Sequence, residues 1–272
     1  MIICIIFICR KIIILFVIAI IILDCCALIR SILLFRDGLL LTPCWYPYDN
    51  SQTKFLAISW VHIEICSISG AVVAACCDTI FAGFLIKVCC QLEILKLRFH
   101  HLTLIQKECQ MDENCLNLEE KKHLSICINH HKHILRCTKD ISHIFYPILL
   151  GQFFLGIMLI CCAVYRISAT KSNVEFVLLV VYLSVIFTEI FFYCWFGNEV
   201  MVASLDLMNA IFTMDWKTLP LGRQKELLFI LLRAKTPIKI TSSFLVTLSN
   251  DSFVTILKAS YSMFNLIRTT NT

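Results

Sequence analysis

The chain has 272 residues, of which 59% are hydrophobic and 16% charged, with a mean hydropathy of +0.82. Soluble domains run at about 45–50% apolar and about 25% charged, so a single water-soluble domain is excluded: its core could not hold so much apolar surface. Seven glycines and five prolines exclude collagen-like and low-complexity chains, and the net charge of +5 suits a membrane face rather than nucleic acid.

A bilayer core of about 30 Å takes roughly 20 apolar residues as a helix, and five stretches reach that length. The first, 12–29, follows Arg10 and Lys11 and holds one acid, Asp24. No basic segment precedes the opening apolar run and no small-residue cleavage site follows it, so no signal peptide is expected. The second stretch, 55–86, is broken only by His62, Glu64 and Asp78. Beyond it Val88, Leu92, Leu95, Phe99 and Leu102 recur at helical spacing, which predicts that the second span runs on into segment 87–140. Stretch 144–165 carries no charge, and 174–197 holds Glu175 and Glu189. In segment 198–240, Leu205, Met208, Ile211 and Phe212 predict helix before a break at Leu219-Pro220. A further helix from Gln224 to Arg233 should stop ahead of Pro237, because proline disfavours helix in the residue before it. The last stretch is 241–267. The expected fold is therefore all-α: a single polytopic transmembrane helical bundle with two helical segments outside the membrane, at 87–140 and 198–240. Short alternating segments of the kind a transmembrane barrel needs are absent.

Orientation follows from the loops. With the start of the first span inside, seventeen Lys and Arg fall on the cytoplasmic side and six outside, Lys258 lying within the last span. The C-terminus is then extracellular.

The seventeen cysteines lie mostly in apolar runs, where free Cys behaves as a small hydrophobe. Seven of the eight histidines fall between His100 and His143. Within that segment Cys127, His130, His133 and Cys137 have spacings through which a helix could gather four zinc ligands. The spacing matches no standard site, and a His-rich polar helix face is the plainer reading. No metal or other cofactor is expected, and no nucleophile elbow, Walker loop or dinucleotide fingerprint is present. Glu64, Asp78 and Glu189 are candidates for function because charge inside a bilayer is costly; pairing with a local partner is the alternative.

The last stretch is unlike the others, with 13 of its 27 residues polar. Thr247, Asp251, Thr255, Lys258, Ser262 and Asn265 step at helical spacing into one polar stripe, opposite Phe244, Leu248, Phe253, Ile256, Met263 and Ile267. Such a stripe calls for water or polar helix contacts rather than lipid, so pore lining and helix packing both fit.

Several motifs resemble those of the insect odorant receptors. Tyr193-Cys194-Trp195-Phe196-Gly197-Asn198-Glu199 looks like that family's signature at the end of its sixth span. Asp215-Trp216, Leu219-Pro220 and the Arg223-to-Pro237 segment look like the loop that follows. Ser252 to Phe264 is similar to its seventh-span pattern, and Trp45-Tyr46-Pro47-Tyr48-Asp49 resembles its Trp-x-Pro-x-Asp motif. The resemblance covers roughly residues 10–268 and makes the five stretches the family's third to seventh spans, the first two lying outside this sequence. Two departures stand out: Ser249-Asn250-Asp251 replaces a Leu-Ser-Leu-Glu-like run, and Lys258 sits mid-span.

The resemblance implies a tuning odorant receptor subunit in the plasma membrane. It would act as a ligand-gated cation channel in a hetero-tetramer with the odorant receptor co-receptor, without a G protein, and with a small volatile odorant as ligand. It places an apolar pocket in the outer half of the bundle, for which Phe55, Ser59, His62 and Ile63 on one span and Phe176, Leu179, Tyr182 and Leu183 on another are candidate ligand-binding residues. Thr255, Lys258, Ser262, Leu266 and Thr270 are candidates for the pore and gate, Leu266 aligning with the family's apolar gate position. Trp195, Trp216, Arg233 and Pro237 are candidate subunit-anchor residues. The rival readings are a gustatory receptor-like channel, whose usual Thr-Tyr … Gln-Phe ending this sequence lacks, a non-functional product of the same family, and a metal-dependent membrane enzyme using Cys127, His130, His133 and Cys137.

Overall fold

The computed structural model describes residues 2–38, 40, 44–48, 52–108, 113–170, 172–216, 219–242 and 246–270, without the side chains of 2–10, 103–108, 113–117 and some scattered positions. Among these residues the chain is nearly all helix: α1 (Ile2–Arg36), α2 (Thr53–Glu108), α3 (Glu113–Ala169), α4 (Asn173–Thr213), α5 (Leu221–Ala234) and α6 (Asn250–Thr270). One antiparallel pair of two-residue strands, β1 (Thr241–Ser242) and β2 (Val246–Thr247), precedes α6. The chain divides into two compact units, Met1–Gly83 and Phe84–Thr272.

The first unit holds α1, residues 44–48 and the first part of α2. Gly38 stops α1: its φ of 72° is the left-handed turn that glycine adopts without a Cβ penalty, and its N–H returns to the Phe35 carbonyl at 3.0 Å.

In the second unit the length of α3 sets the plan. Fifty-seven residues at about 1.5 Å each reach far beyond a bilayer core of about 30 Å. Its charge-free part is 144–165, while Glu119, Glu120, Lys121, Lys122, Lys132, Arg136, Lys139 and Asp140 crowd the part before it. That charged half belongs outside the membrane. There α3 runs antiparallel to the end of α2, as cross-contacts show: Phe84 with Phe145 at 6.3 Å between rings, Gln91 and Arg98 with His130, and His101 with His123 at 5.6 Å. Along this stretch α2 buries Leu85, Val88, Leu92, Leu95, Phe99 and Leu102, and α3 buries Leu124, Cys127, His131, Ile134, Thr138, Ile141 and Phe145. Both series step by three and four, the seven-residue repeat of a coiled coil. The stripe expected from Val88 to Leu102 is thus one side of a two-helix seam.

By length and composition, α2, α3 and α4 contain segments able to cross a membrane. The stretch 12–29 lies inside α1, many of whose side chains are outside the description. The final stretch differs from its expectation. Residues 241–242 and 246–249 are not helix: Thr241 pairs with Thr247, Ser242 with Val246, and the Leu248 N–H reaches the Ile240 carbonyl at 2.8 Å. β-Branched residues suit a ladder, and Ser and Thr compete with helical hydrogen bonding. Ser249 then caps α6, its Oγ accepting the Ser252 N–H at 3.3 Å, and Asp251 sits in the first turn where the helix dipole favours an acid. The departure at Ser249-Asn250-Asp251 is a helix start.

Candidate functional site

In the first unit a loop folds back over the start of α2. Tyr46 and Tyr48 stack with ring centroids 5.3 Å apart, and Tyr48 meets Phe55 at the same distance. The Tyr46 hydroxyl lies 3.2 Å from His62 Nδ1 and donates to the Ser59 carbonyl at 3.4 Å; the Tyr48 and Ser59 hydroxyls are 3.1 Å apart. Ser59 and Ile63 are buried, Phe55 and His62 exposed. Phe55, Ser59 and His62 are therefore brought together under two tyrosines that helical periodicity did not place, with Ile63 buried beside them in sequence. Asp49 lies outside the described residues. Deeper along α2, Trp60 Nε1 donates to Ser31 Oγ at 2.9 Å, and that hydroxyl donates to Glu64. Glu64 thus has a local partner, which lowers the cost of a polar group among apolar ones.

On α4, Phe176 and Tyr182 are exposed and Leu179 and Leu183 half-buried, each on the part of the helix where apolar side chains face outward. Farther along, Glu189 accepts a hydrogen bond from Gln152 of α3. Of the three intramembrane acids, Asp78 is the one that is buried.

α6 packs against α3 and α4 through one face. Ile256 and Ser260 are buried, the Ser260 carbonyl accepts the Cys161 thiol at 3.3 Å, and Phe253 meets Phe191 edge-on at 5.4 Å. Leu248 lies directly over Gly197, where a Cβ would meet the Leu248 carbonyl oxygen at 2.7 Å. Only glycine permits that approach. The other face carries Asp251, Thr255, Lys258, Ser262 and Asn265, all exposed. Thr247 belongs to β2, so the stripe starts one step later than its spacing suggested. Leu266 is 60% exposed at the far end, and the Thr270 side chain is outside the described residues.

The four anchor candidates do not form one cluster. Trp195 is half-buried between Phe191 and Phe196, 6.4 and 5.3 Å away between rings. Trp216 lies in the turn between α4 and α5, its carbonyl accepting the Leu219 N–H at 3.2 Å. Arg233 closes α5, donating to Thr236 Oγ1 at 2.5 Å, and shares a cleft with Pro237. Sequence reasoning missed Ser204, whose buried hydroxyl accepts the Ile238 N–H at 3.0 Å and ties α4 to the segment leading into α6. A lone serine among Leu205, Leu207 and Met208 gives no sequence signal of that bond.

The family model described as 7tm Odorant receptor matches residues 5–261. The chain belongs to the odorant receptor family. Among its relatives, Odorant receptor 10 of Aedes albopictus is 26% identical over 60% of this chain and 45% of that protein. Odorant receptor 9a of Drosophila melanogaster is 24% identical over 83% and 55%. The chain thus spans about half the length of the curated relatives it matches. The fold is that of the insect olfactory receptor OR5 from Machilis hrabei: TM-score 0.82 at 19% identity, covering 96% of this chain and 66% of that one, and 0.79 at 18% for the same receptor in complex with eugenol, covering 97% and 67%.

The family is one of odorant receptors, and among the described residues the Cys/His segment does not gather into a metal site. Cys127 faces the α2–α3 seam, and burial pushes its thiol up to about 11 against the opposing pull of Arg98; a metal ligand must instead be a thiolate. His133 and Cys137 are exposed. His130 accepts from Arg98 at Nδ1 (3.2 Å), since a guanidinium only donates, and its Nε2 donates to Gln91 Oε1 (2.9 Å). Burial first, then Arg98 and His133, hold the His130 pKa down; burial, Arg233 and His130 do the same for His131. Among the described residues no three His, Cys, Asp or Glu side chains gather in a way that could hold a metal ion.

Proposed function

We propose that this chain is part of a tuning odorant receptor subunit of an odorant-gated cation channel, assembled as a hetero-tetramer with the odorant receptor co-receptor, with no G protein required. The observation that carries this reading is the polarity of α6. Its stripe of Asp251, Thr255, Lys258, Ser262 and Asn265 faces away from α3 and α4, and a membrane-length helix does not turn such a face to lipid. Water in a pore supplies the missing contact, and a ring of apolar side chains at Leu266, with Thr270 one turn beyond, closes it by dewetting until ligand binding favours the open state. Trp195, Trp216, Arg233 and Pro237 act in subunit contact, and the seventeen-to-six charge asymmetry puts the charged half of α3 in the cytoplasm and the C-terminus outside, at the plasma membrane.

The odorant is recognised by Phe55, Ser59, His62 and Ile63, under Tyr46 and Tyr48. An apolar ligand with one hydrogen-bonding group competes there for the Ser59 hydroxyl now shared with Tyr48. Phe176, Leu179, Tyr182 and Leu183 are the ligand contacts assigned to α4; responses unchanged in both Ser59→Ala and Tyr182→Ala would remove both assignments. The deciding experiment is recording from the full-length receptor with and without the co-receptor. Ligand current is expected only with the co-receptor, Leu266→Ala is expected to raise ligand-free current, and Lys258→Gln to change cation permeability. Unchanged basal current and selectivity in both variants would make α6 a packing helix.

A further inference from the structure

A cleft of about 1210 Å³ opens where α3 passes from its charged half into its charge-free half, between that helix, the segment after α5 and the β1–β2 hairpin. Arg136, Lys139, Arg233 and Lys239 line it, with His143; the one acid among its lining residues is Asp140. The three ion pairs among the described residues are Lys96–Glu93, Arg166–Glu175 and Arg223–Glu226, so none of the four cations is neutralised by one. Arg233 is held at the rim by Thr236, and Ser142 of α3 donates to the Thr241 carbonyl at 3.3 Å, joining two walls. Such a concentration of like charge is unfavourable unless an anion offsets it.

The position narrows the anion. From Ile144 to Tyr165 α3 has no charged residue, so the cleft sits at the bilayer surface, and Tyr146 on its wall has the ring-plus-hydroxyl chemistry of the headgroup layer. Its volume exceeds the roughly 300–1,000 Å³ of ordinary small-molecule pockets, which leaves room for a headgroup together with the upper part of its acyl chains. Basic pockets between membrane helices on the cytoplasmic side take polyphosphorylated headgroups. We propose that this cleft binds a multiply phosphorylated anion, supplied by a phosphoinositide of the adjoining leaflet. The cytoplasmic identity of that leaflet rests on the orientation proposed above; the cleft and its charge do not.

The test uses the purified 272-residue chain in neutral detergent, which exposes both faces, so it is independent of orientation and of conduction. Binding of short-chain phosphatidylinositol bisphosphate is measured against short-chain phosphatidylcholine and free inositol trisphosphate. The bisphosphate lipid is expected to bind, with affinity falling as salt rises. Each of Lys139→Gln and Lys239→Gln should weaken it about fivefold, the scale of one lysine near an anionic headgroup, whereas Lys121→Gln and Lys122→Gln should leave it unchanged. Unchanged melting temperatures separate lost binding from lost folding. Tighter binding of the lipid than of the free phosphate supports the membrane as the source, and equal binding keeps the site but overturns that source. No binding, or equal weakening by all four substitutions, overturns the site.

Discussion

α4 and α6 pack against each other in the same unit, yet their outward faces differ in polarity. α4 turns Val174, Phe176, Val177, Leu178, Val180 and Val181 outward, an apolar surface of the kind lipid accepts without loss. α6 turns out Asp251, Thr255, Lys258, Ser262 and Asn265 alongside Val254, Tyr261, Met263 and Leu266. Burial alone does not separate the two helices, since both leave large apolar side chains exposed. What separates them is which solvent the uncovered half asks for: hydrocarbon for α4, water or a polar partner for α6.

The most direct way to break that contrast is to put a charge on each face. Val181→Lys in α4 is expected to cost about 3 kcal/mol of membrane insertion, read as lost glycosylation in a segment-insertion assay, while Ser262→Lys in α6 of the assembled receptor should leave surface expression near normal. Equal losses would mean that both faces meet lipid. A smaller effect is expected where the helices touch. Gly197→Ala sets a Cβ against the Leu248 carbonyl oxygen, and overpacking of this kind costs about 1–3 kcal/mol; the melting temperature of the solubilised chain should fall, and the exposed Gly222→Ala should not reproduce the fall.

The smallest effect lies away from both faces, in the α2–α3 seam. His130 and His131 are held below the ordinary value of 6.5, so the folded chain binds fewer protons than the unfolded one. Their contribution is full above about pH 6.5 and is lost as pH falls from there toward the lowered values. Melting temperature should drop over that window. His130→Gln, which takes no proton but can still accept from Arg98, should flatten the drop; an identical pH profile would exclude His130 as a source of it.

How much of this was legible in the sequence depends on the range of the interaction. The stop before Pro237 and the runs 12–29, 55–86, 144–165 and 174–197 are local, and each of those four runs lies within a helix. The Val88–Leu102 stripe showed that a face would be buried, but the matching repeat on α3 is masked by His131 and Thr138 at two of its buried positions. The β1–β2 pair is invisible to polar spacing, which does not distinguish a ladder of Thr and Val from one side of a helix. The candidate site was half legible: the α2 residues share a face by periodicity, whereas Tyr46 and Tyr48 reach them from a loop whose path no local rule specifies.

The Ser204 hydroxyl has a mechanical consequence. Between the end of α5 and the start of α6 the chain is pinned at Ile238 by Ser204, at Thr241 by Ser142 and at Leu248 by Ile240. Fifteen residues from Lys235 to Ser249 would otherwise form a slack tether, able to absorb several ångströms of travel. Pinned in this way it takes up little, and an axial shift of α4 reaches the first turn of α6 as a pull rather than being lost in the linker.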